Sequence, residues 1–140
     1  MKKILKLTLV LFCLATLGAC SDDDVSTPKV NTEQLVKRWF YSKTKIGNQT
    51  QNYEHKPCGK DYLEFQAGNA VKQNLYNADC QQDPTVSTGT YSLVEETKKL
   101  TTVINGETVV YTITKLNSKE FEAETTLNNI KITYIFTSTL

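Results

Sequence analysis

Apolar and polar residues alternate with a period of two from Trp39 onward, and this pattern constrains the fold more than any other feature of the chain. The clearest runs are Phe121–Thr125 and Ile130–Phe136. Since successive side chains of a strand point to opposite faces, such alternation predicts strands with one buried and one solvated face. Six further runs follow the same pattern: Trp39–Ile46, Asp61–Gln66, Ala70–Tyr76, Thr88–Val94, Lys99–Ile104 and Thr108–Lys115.

The connections between these eight runs are mostly tight turns. Asn105-Gly106 is the strongest turn signal, because both residues tolerate the positive φ angles of a two-residue hairpin. Further turns are predicted at Gly68-Asn69, Glu95–Lys98, Asn117-Ser118 and Asn128-Asn129. Eight strands joined in order predict an all-β, antiparallel up-and-down meander. Closing the meander into a barrel removes its exposed edges, and a two-sheet sandwich is the alternative.

The chain starts with a segment typical of exported proteins. Three lysines precede an apolar run, Leu7–Leu17, that is too short to span a bilayer. The sequence Leu17-Gly18-Ala19-Cys20 then resembles the lipobox of bacterial lipoproteins, whose cysteine is acylated and becomes the first residue. We expect residues 1–19 to be a lipoprotein signal peptide and Cys20 to carry lipid. The alternative is an ordinary signal peptide with a coincidental cysteine.

Residues 20–31 predict a lipidated, flexible tether, because they lack the periodic apolar side chains that a core requires. The acidic run Asp22-Asp23-Asp24 resembles the export signal that sends some Gram-negative lipoproteins to the cell surface. We therefore expect attachment to the outer membrane with the protein on the cell surface, and the periplasmic leaflet is the alternative. Residues 32–140 are long enough for one domain with one core.

Two connections of the meander are long, Gly47–Lys60 and Asn77–Ser87, and both fall at the same end. Cys58 lies in the first connection and Cys80 in the second. An exported chain folds in an oxidising compartment, where a remaining pair of cysteines is most often a disulfide. We predict a Cys58–Cys80 disulfide that stabilises the fold and takes no part in chemistry.

A short helix, Glu33–Arg38, is predicted before the first strand, with Thr32 as its cap. Because Trp39 opens that strand, it belongs to the end of the meander that holds the 66–69 turn. The helix should close this end with Trp39 packed beneath it. The long connections then surround the opposite end, which we call the mouth.

Alternation directs one set of side chains into the barrel: Leu63, Phe65, Val71, Leu75, Tyr91, Leu93, Val109, Tyr111, Ile113, Phe121, Ala123, Ile132, Tyr134 and Phe136. Most of them should form a packed core, although a barrel of eight strands can also hold one small ligand. Tyr91, Tyr111 and Tyr134 are the inward candidates for ligand contact, because each buried hydroxyl needs a hydrogen-bond partner. Tyr53 and His55 are the candidates in the first long connection.

Charge and motifs argue against nucleic-acid binding and catalysis. The chain has 16 basic and 15 acidic residues, and loss of the three lysines in residues 1–19 leaves 13 against 15, without a basic stripe. His55 is the only histidine, and we expect it to be a solvent-exposed loop residue rather than a metal ligand. Glu120, Glu122 and Glu124 alternate with apolar residues and therefore belong to the outer face. No catalytic residue, metal or cofactor is predicted.

The predicted domain contains three short recognisable segments: Leu35–Trp39, Asp61–Phe65 and Gly89–Leu93. Together with the paired cysteines they resemble lipocalins and the small lipocalin-like lipoproteins of Gram-negative bacteria. Tyr91 stands where those proteins often have Trp, and Lys37 stands where lipocalins usually have Gly. The resemblance implies an eight-stranded lipocalin-like barrel.

Two functions from different classes remain open. One is binding of a small apolar or amphipathic molecule at the cell envelope by a monomeric, lipid-anchored protein. The other is an interaction or structural module, in which a filled barrel presents its long loops to a protein or a glycan. A continuous internal cavity would favour the first function.

Overall fold

The structure is a computed structural model that describes residues 30–81 and 83–140. The predicted signal peptide, the lipidation of Cys20 and the acidic run lie outside the described residues. These three predictions therefore stay predictions.

One short helix and nine strands make up the regular structure of the described residues. The helix α1 spans Thr32–Leu35. The strands are β1 (Arg38–Ile46), β2 (Gln49–Asn52), β3 (Tyr62–Gln66), β4 (Ala70–Leu75), β5 (Thr85–Val94), β6 (Lys99–Ile104), β7 (Glu107–Leu116), β8 (Glu120–Leu127) and β9 (Ile130–Thr137). None of the helical structure in the described residues is long and apolar enough to cross a membrane.

The strands form one closed antiparallel sheet. β3 to β9 pair in sequence order, and β1 pairs with both β3 and β9. The pairing of β1 with β9 closes the sheet, so the predicted eight-stranded up-and-down barrel is confirmed and the sandwich alternative is wrong. Two predicted turns adopt the backbone they require, since φ is positive at Asn105 and Gly106 (53° and 81°) and at Gly68 and Asn69 (79° and 65°).

A ninth strand, β2, lies within the predicted long connection Gly47–Lys60. It pairs with Lys43–Ile46 of β1 after a turn at Gly47, whose φ is +58°. The four residues of β2 are polar and exposed, so they show no alternation. A strand that extends the sheet without covering the core leaves no such signal in the sequence.

The helix is shorter than predicted and is capped by a different residue. It ends at Leu35, and Asn31 caps it, because the Asn31 Oδ1 accepts a hydrogen bond from the backbone N–H of Glu33 at 2.8 Å. The predicted cap, Thr32, is instead the first helical residue. The predicted end at Arg38 is wrong because Arg38 already pairs with Glu64 of β3.

Trp39 packs under this helix at the closed end of the barrel, as predicted. Its side chain is fully buried, and its indole N–H donates to the backbone carbonyl of Leu35 at 2.9 Å. Beneath it the Phe121 ring lies 5.5 Å away, centroid to centroid, and Phe136 stacks on Phe121 at 5.1 Å. Large apolar side chains thus fill the helix-bearing half of the barrel.

Strands β7 and β8 separate towards the mouth. They pair from Leu116↔Phe121 to Thr112↔Glu124, with a bulge on β7. Beyond that point β7 pairs only with β6, and β8 pairs only with β9. The hydroxyl of Thr125 donates to the carbonyl of Val110 at 2.9 Å, where a continuous sheet would supply a backbone N–H. We call this parting of the wall the β7–β8 seam.

Candidate functional site

The mouth half of the barrel contains a cavity of about 310 Å³, at the end opposite the helix. The Asn105-Gly106 turn borders it. The side chains that line it come from five strands and one turn: Tyr41, Leu63, Gln73, Thr102, Ile104, Asn105, Glu107, Val109 and Tyr111.

Alternation explains why polar side chains line this cavity. Tyr41 follows the buried Trp39 by two positions, and Gln73 follows the buried Val71 in the same way. Each strand therefore places an apolar residue in the packed half and a polar residue on the same inner face nearer the mouth. The inner face changes from an apolar core to a hydrogen-bonding cavity along the barrel axis.

Hydrogen bonds fix two of the polar groups. The amide of Gln73 donates to the phenol oxygen of Tyr41 at 2.9 Å, and within the described residues the Tyr41 hydroxyl proton has no acceptor. At the rim, the amide of Asn105 donates to the hydroxyl of Ser87 at 2.8 Å. Tyr41 therefore keeps a donor for a molecule that enters the cavity.

The phenols of the cavity are neutral over the physiological pH range. Burial raises the pKa of Tyr41 well above its ordinary value. Burial, with a smaller contribution from the neighbouring Tyr134, raises the pKa of Tyr111 to about 12. Both side chains consequently act as hydrogen-bond donors and as ring surfaces, and neither brings a negative charge.

Residues 53–61 close the barrel wall beside the cavity, where β1 has left β3. The Tyr53 ring stacks on Tyr41 at 4.9 Å, and its hydroxyl donates to Oδ2 of the buried Asp61 at 2.6 Å. The other oxygen, Oδ1, accepts from the backbone N–H of Tyr76 at 2.7 Å. Asp61 thus joins this segment to the start of the second long connection.

His55 is not the solvent-exposed loop residue that the sequence predicted. Its Nδ1 accepts a hydrogen bond from the backbone N–H of Asp61 at 3.1 Å, and its ring meets the edge of Tyr53 at 5.1 Å. Its Nε2 is buried without a partner among the described residues. The imidazole ring of His55 therefore helps to hold residues 53–61 in their observed conformation.

The predicted disulfide between Cys58 and Cys80 is present and joins the two long connections, with 5.5 Å between the Cα atoms. Gly59 lies next to it, under the ring of Tyr76. A Cβ on Gly59 would come within 2.1 Å of that ring, so only glycine allows this contact. The disulfide and the Tyr76 ring together hold the two connections against each other.

The structure brings most of the sequence-predicted ligand candidates together, but not all of them. Tyr111 lines the cavity, and Tyr134 meets its ring edge at 6.4 Å. Tyr53 does not line the cavity but stacks on Tyr41, which does, and His55 packs against Tyr53. Tyr91 lies at the closed end instead, where its hydroxyl donates to the carbonyl of Gln66 at 3.2 Å.

Six lining residues were absent from the predicted inner set: Tyr41, Gln73, Thr102, Ile104, Asn105 and Glu107. The predicted inner set includes no residue of β6, where Leu100 and Thr102 are buried. The information needed to find these residues is the register of each strand, that is, which of its positions face inward. Continuing the alternation from Trp39 or Val71 towards the mouth would have placed the polar residues inside as well.

Aliphatic side chains form the other side of the mouth. Ile46, Leu127 and Ile130 are exposed by 47%, 46% and 52%. Leu127 lies on the same inner face of β8 as Phe121, and it pairs with Ile130 of β9. Ile46 of β1 pairs with Ile132 of β9. The mouth therefore has one hydrogen-bonding side and one aliphatic side.

Comparisons with known proteins agree with this architecture. A family model described as a lipocalin-like domain matches residues 35–123. A crystal structure of a lipocalin-like protein from Bacteroides uniformis superposes with a TM-score of 0.60 at 11% sequence identity, and the match covers 76% of this chain and 99% of that chain. A comparison with curated proteins finds no match.

Proposed function

Because the chain belongs to the family of lipocalin-like domains, we propose that it is a binding protein that holds a small amphipathic molecule at the mouth of its barrel. The observation that carries this proposal is the cavity of about 310 Å³ above a packed aromatic core. Pockets for small molecules begin at roughly this volume. In this role the protein binds and does not catalyse.

The two sides of the mouth support an amphipathic ligand rather than a wholly apolar one. Tyr41, Gln73 and Thr102 offer hydrogen bonds, which an apolar ligand would leave unmade at a cost. Leu63 and Val109 give the cavity an apolar surface, and the exposed aliphatic rim continues it outwards.

A pair of tryptophan substitutions on β7 tests the proposal. Val109 lines the cavity, so Val109→Trp should fill it. Val110, the next residue, lies on the outer face with 49% exposure, so Val110→Trp is the matched control. Native mass spectrometry of protein purified from its own membranes should find a bound small molecule in the wild type and in Val110→Trp, and none in Val109→Trp.

Circular dichroism of both variants checks that the barrel is folded. A bound mass that survives in a folded Val109→Trp variant would contradict binding in the cavity. Absence of any bound mass from the wild type after native purification would contradict the proposed function itself.

We also propose that the protein is attached to the outer membrane through a lipid on Cys20. The support is the sequence Leu17-Gly18-Ala19-Cys20 after a short apolar run. Cys20→Ser should release the protein from the membrane fraction or leave it uncleaved. Cys13→Ser is the control, because Cys13 is removed with the signal peptide. Normal processing and membrane attachment of Cys20→Ser would refute the lipid anchor.

Display on the cell surface is proposed from the acidic run behind the lipid. Replacing Asp22, Asp23 and Asp24 by alanine should reduce cleavage of the protein by external protease in intact cells, with membrane attachment retained. Unchanged cleavage would show that the acidic run is only a spacer and does not direct the protein to the cell surface.

A second candidate function, presentation of the mouth to a protein or a glycan, is favoured by the exposed aliphatic rim. In that case Ile46→Ser combined with Ile130→Ser should abolish capture of the partner. The mass bound by the cavity would then be unchanged, which separates the two functions.

A further inference from the structure

The cavity has a charge that the proposed function does not explain. Glu107 lies on the inner face of β7, two positions from Val109, and its carboxylate borders the cavity. Within the described residues it makes no ion pair and no hydrogen bond. Lysine and arginine are both missing from the described side chains that line the cavity.

Lysines on the strands that border the mouth point away from the cavity, and Lys131 on β9 already pairs with Glu124 at 2.9 Å. On β1, Thr44 pairs with the inward Tyr134, whereas Lys43 and Lys45 pair with Ile135 and Thr133 on the outer face. His55 is not among the described side chains that line the cavity, and its Nδ1 accepts a hydrogen bond from the backbone N–H of Asp61. Among the described side chains that line the cavity, the charged one is Glu107, so the local field from the lining is negative.

A second carboxylate strengthens this field. Asp61 is buried and hydrogen-bonded to Tyr53, which stacks on Tyr41 of the cavity floor. Its two partners are neutral donors, a phenol and a backbone N–H, so its charge is stabilised but not neutralised. An anionic ligand would be repelled by both carboxylates, the exposed Glu107 and the buried Asp61, whereas a cation would be attracted.

We propose that the ligand is a cationic amphiphile, a primary or secondary amine with a short apolar body. This rests on the proposed function and names the chemical class of its ligand. The ammonium group pairs with Glu107 and lies against the ring of Tyr111, which offers a negative face to a cation. The apolar body contacts Leu63, Ile104 and Val109.

Three probes of similar size and different charge test the proposal: 2-phenylethylamine, 2-phenylethanol and phenylacetate. Isothermal titration of the purified full chain at pH 7 should give an affinity for the amine about tenfold above that for the alcohol, and weaker binding still for phenylacetate. The preference for the amine should shrink as salt is added, because the rim is open to solvent.

Glu107→Gln should remove the preference for the amine and leave the affinity for the alcohol unchanged. Glu54→Gln is the matched control, since it removes the same charge from a residue that does not line the cavity, and it should retain the preference. Equal binding of amine and phenylacetate, or a preference that persists in Glu107→Gln, would overturn the inference, while binding of the alcohol would still support the cavity. Failure of all three probes to bind would overturn the inference and the proposed function together.

Discussion

Trp39 is the residue on which most of the closed end depends. Its indole is fully buried and joins the helix, through the carbonyl of Leu35, to the ring of Phe121. The ammonium of Lys37 lies 5.3 Å from the centre of the same indole, at the position where lipocalins usually have glycine. The ammonium therefore lies over the buried indole, where the negative face of the ring attracts it.

Trp39→Ala should destabilise the protein by about 3–5 kcal/mol, because it removes a large buried side chain and leaves a void. Trp39→Phe retains most of the packing but not the hydrogen bond to Leu35, so its loss should be smaller. Urea unfolding followed by circular dichroism measures both. In the wild type, tryptophan emission should be blue-shifted and protected from acrylamide, and solvent-exposed emission would contradict the burial of Trp39.

Buried phenols make the stability of the barrel sensitive to alkaline pH. The pKa of Tyr111 is about 12 in the folded protein against 10 in an unfolded chain, so the folded state holds the proton more tightly. The contribution of protonated Tyr111 to the free energy of unfolding is fully present below pH 10 and is lost as the pH rises from 10 to about 12. Urea midpoints should fall over that range, and less steeply for Tyr111→Phe. An equal slope in the two proteins would contradict the raised pKa.

At the scale of elements, adjacent strands of the described barrel wall part in two places, and each gap is closed in a different way. Where β1 leaves β3, residues 53–61 fill the gap with Tyr53, His55 and Asp61. At the β7–β8 seam a single side chain, Thr125, replaces backbone pairing. Alternation revealed the regular strands, because each covers a core. It could not reveal these two places, because their contacts depend on individual side chains that meet only in the fold.

The disulfide secures the first of these irregular places. Replacing Cys58 and Cys80 together by serine should lower the free energy of unfolding by about 3 kcal/mol, as expected for a bond that closes a loop of this length. Thermal unfolding of the double variant and of the reduced wild type should agree. A double variant as stable as the oxidised wild type would show that the Tyr76–Gly59 contact and Asp61 suffice.

At the scale of the whole molecule, the two ends of the barrel differ: one end is closed and packed, and the other is an open mouth. The sequence predicted this arrangement well, since strand order, the short turns, the buried Trp39 and the disulfide all follow from local patterns and from the topology of a meander. The cavity was predicted only as an option. Its polar lining was missed because a glutamine or a glutamate on a strand looks the same in the sequence whether it faces solvent or a cavity. Only the strand register, counted from Trp39 or Val71, distinguishes the two cases.

The β7–β8 seam has a kinetic consequence. Within the part of the chain that the structure describes, backbone amides of β7 that point towards β8 beyond Thr112 have no partner on β8, so they should exchange hydrogen with solvent much faster than amides of the closed end. Widening the seam breaks few hydrogen bonds, and Val109 borders both the seam and the cavity. We therefore expect the residence time of a bound molecule to follow the opening rate of this wall. A disulfide engineered across the seam should prolong that residence time.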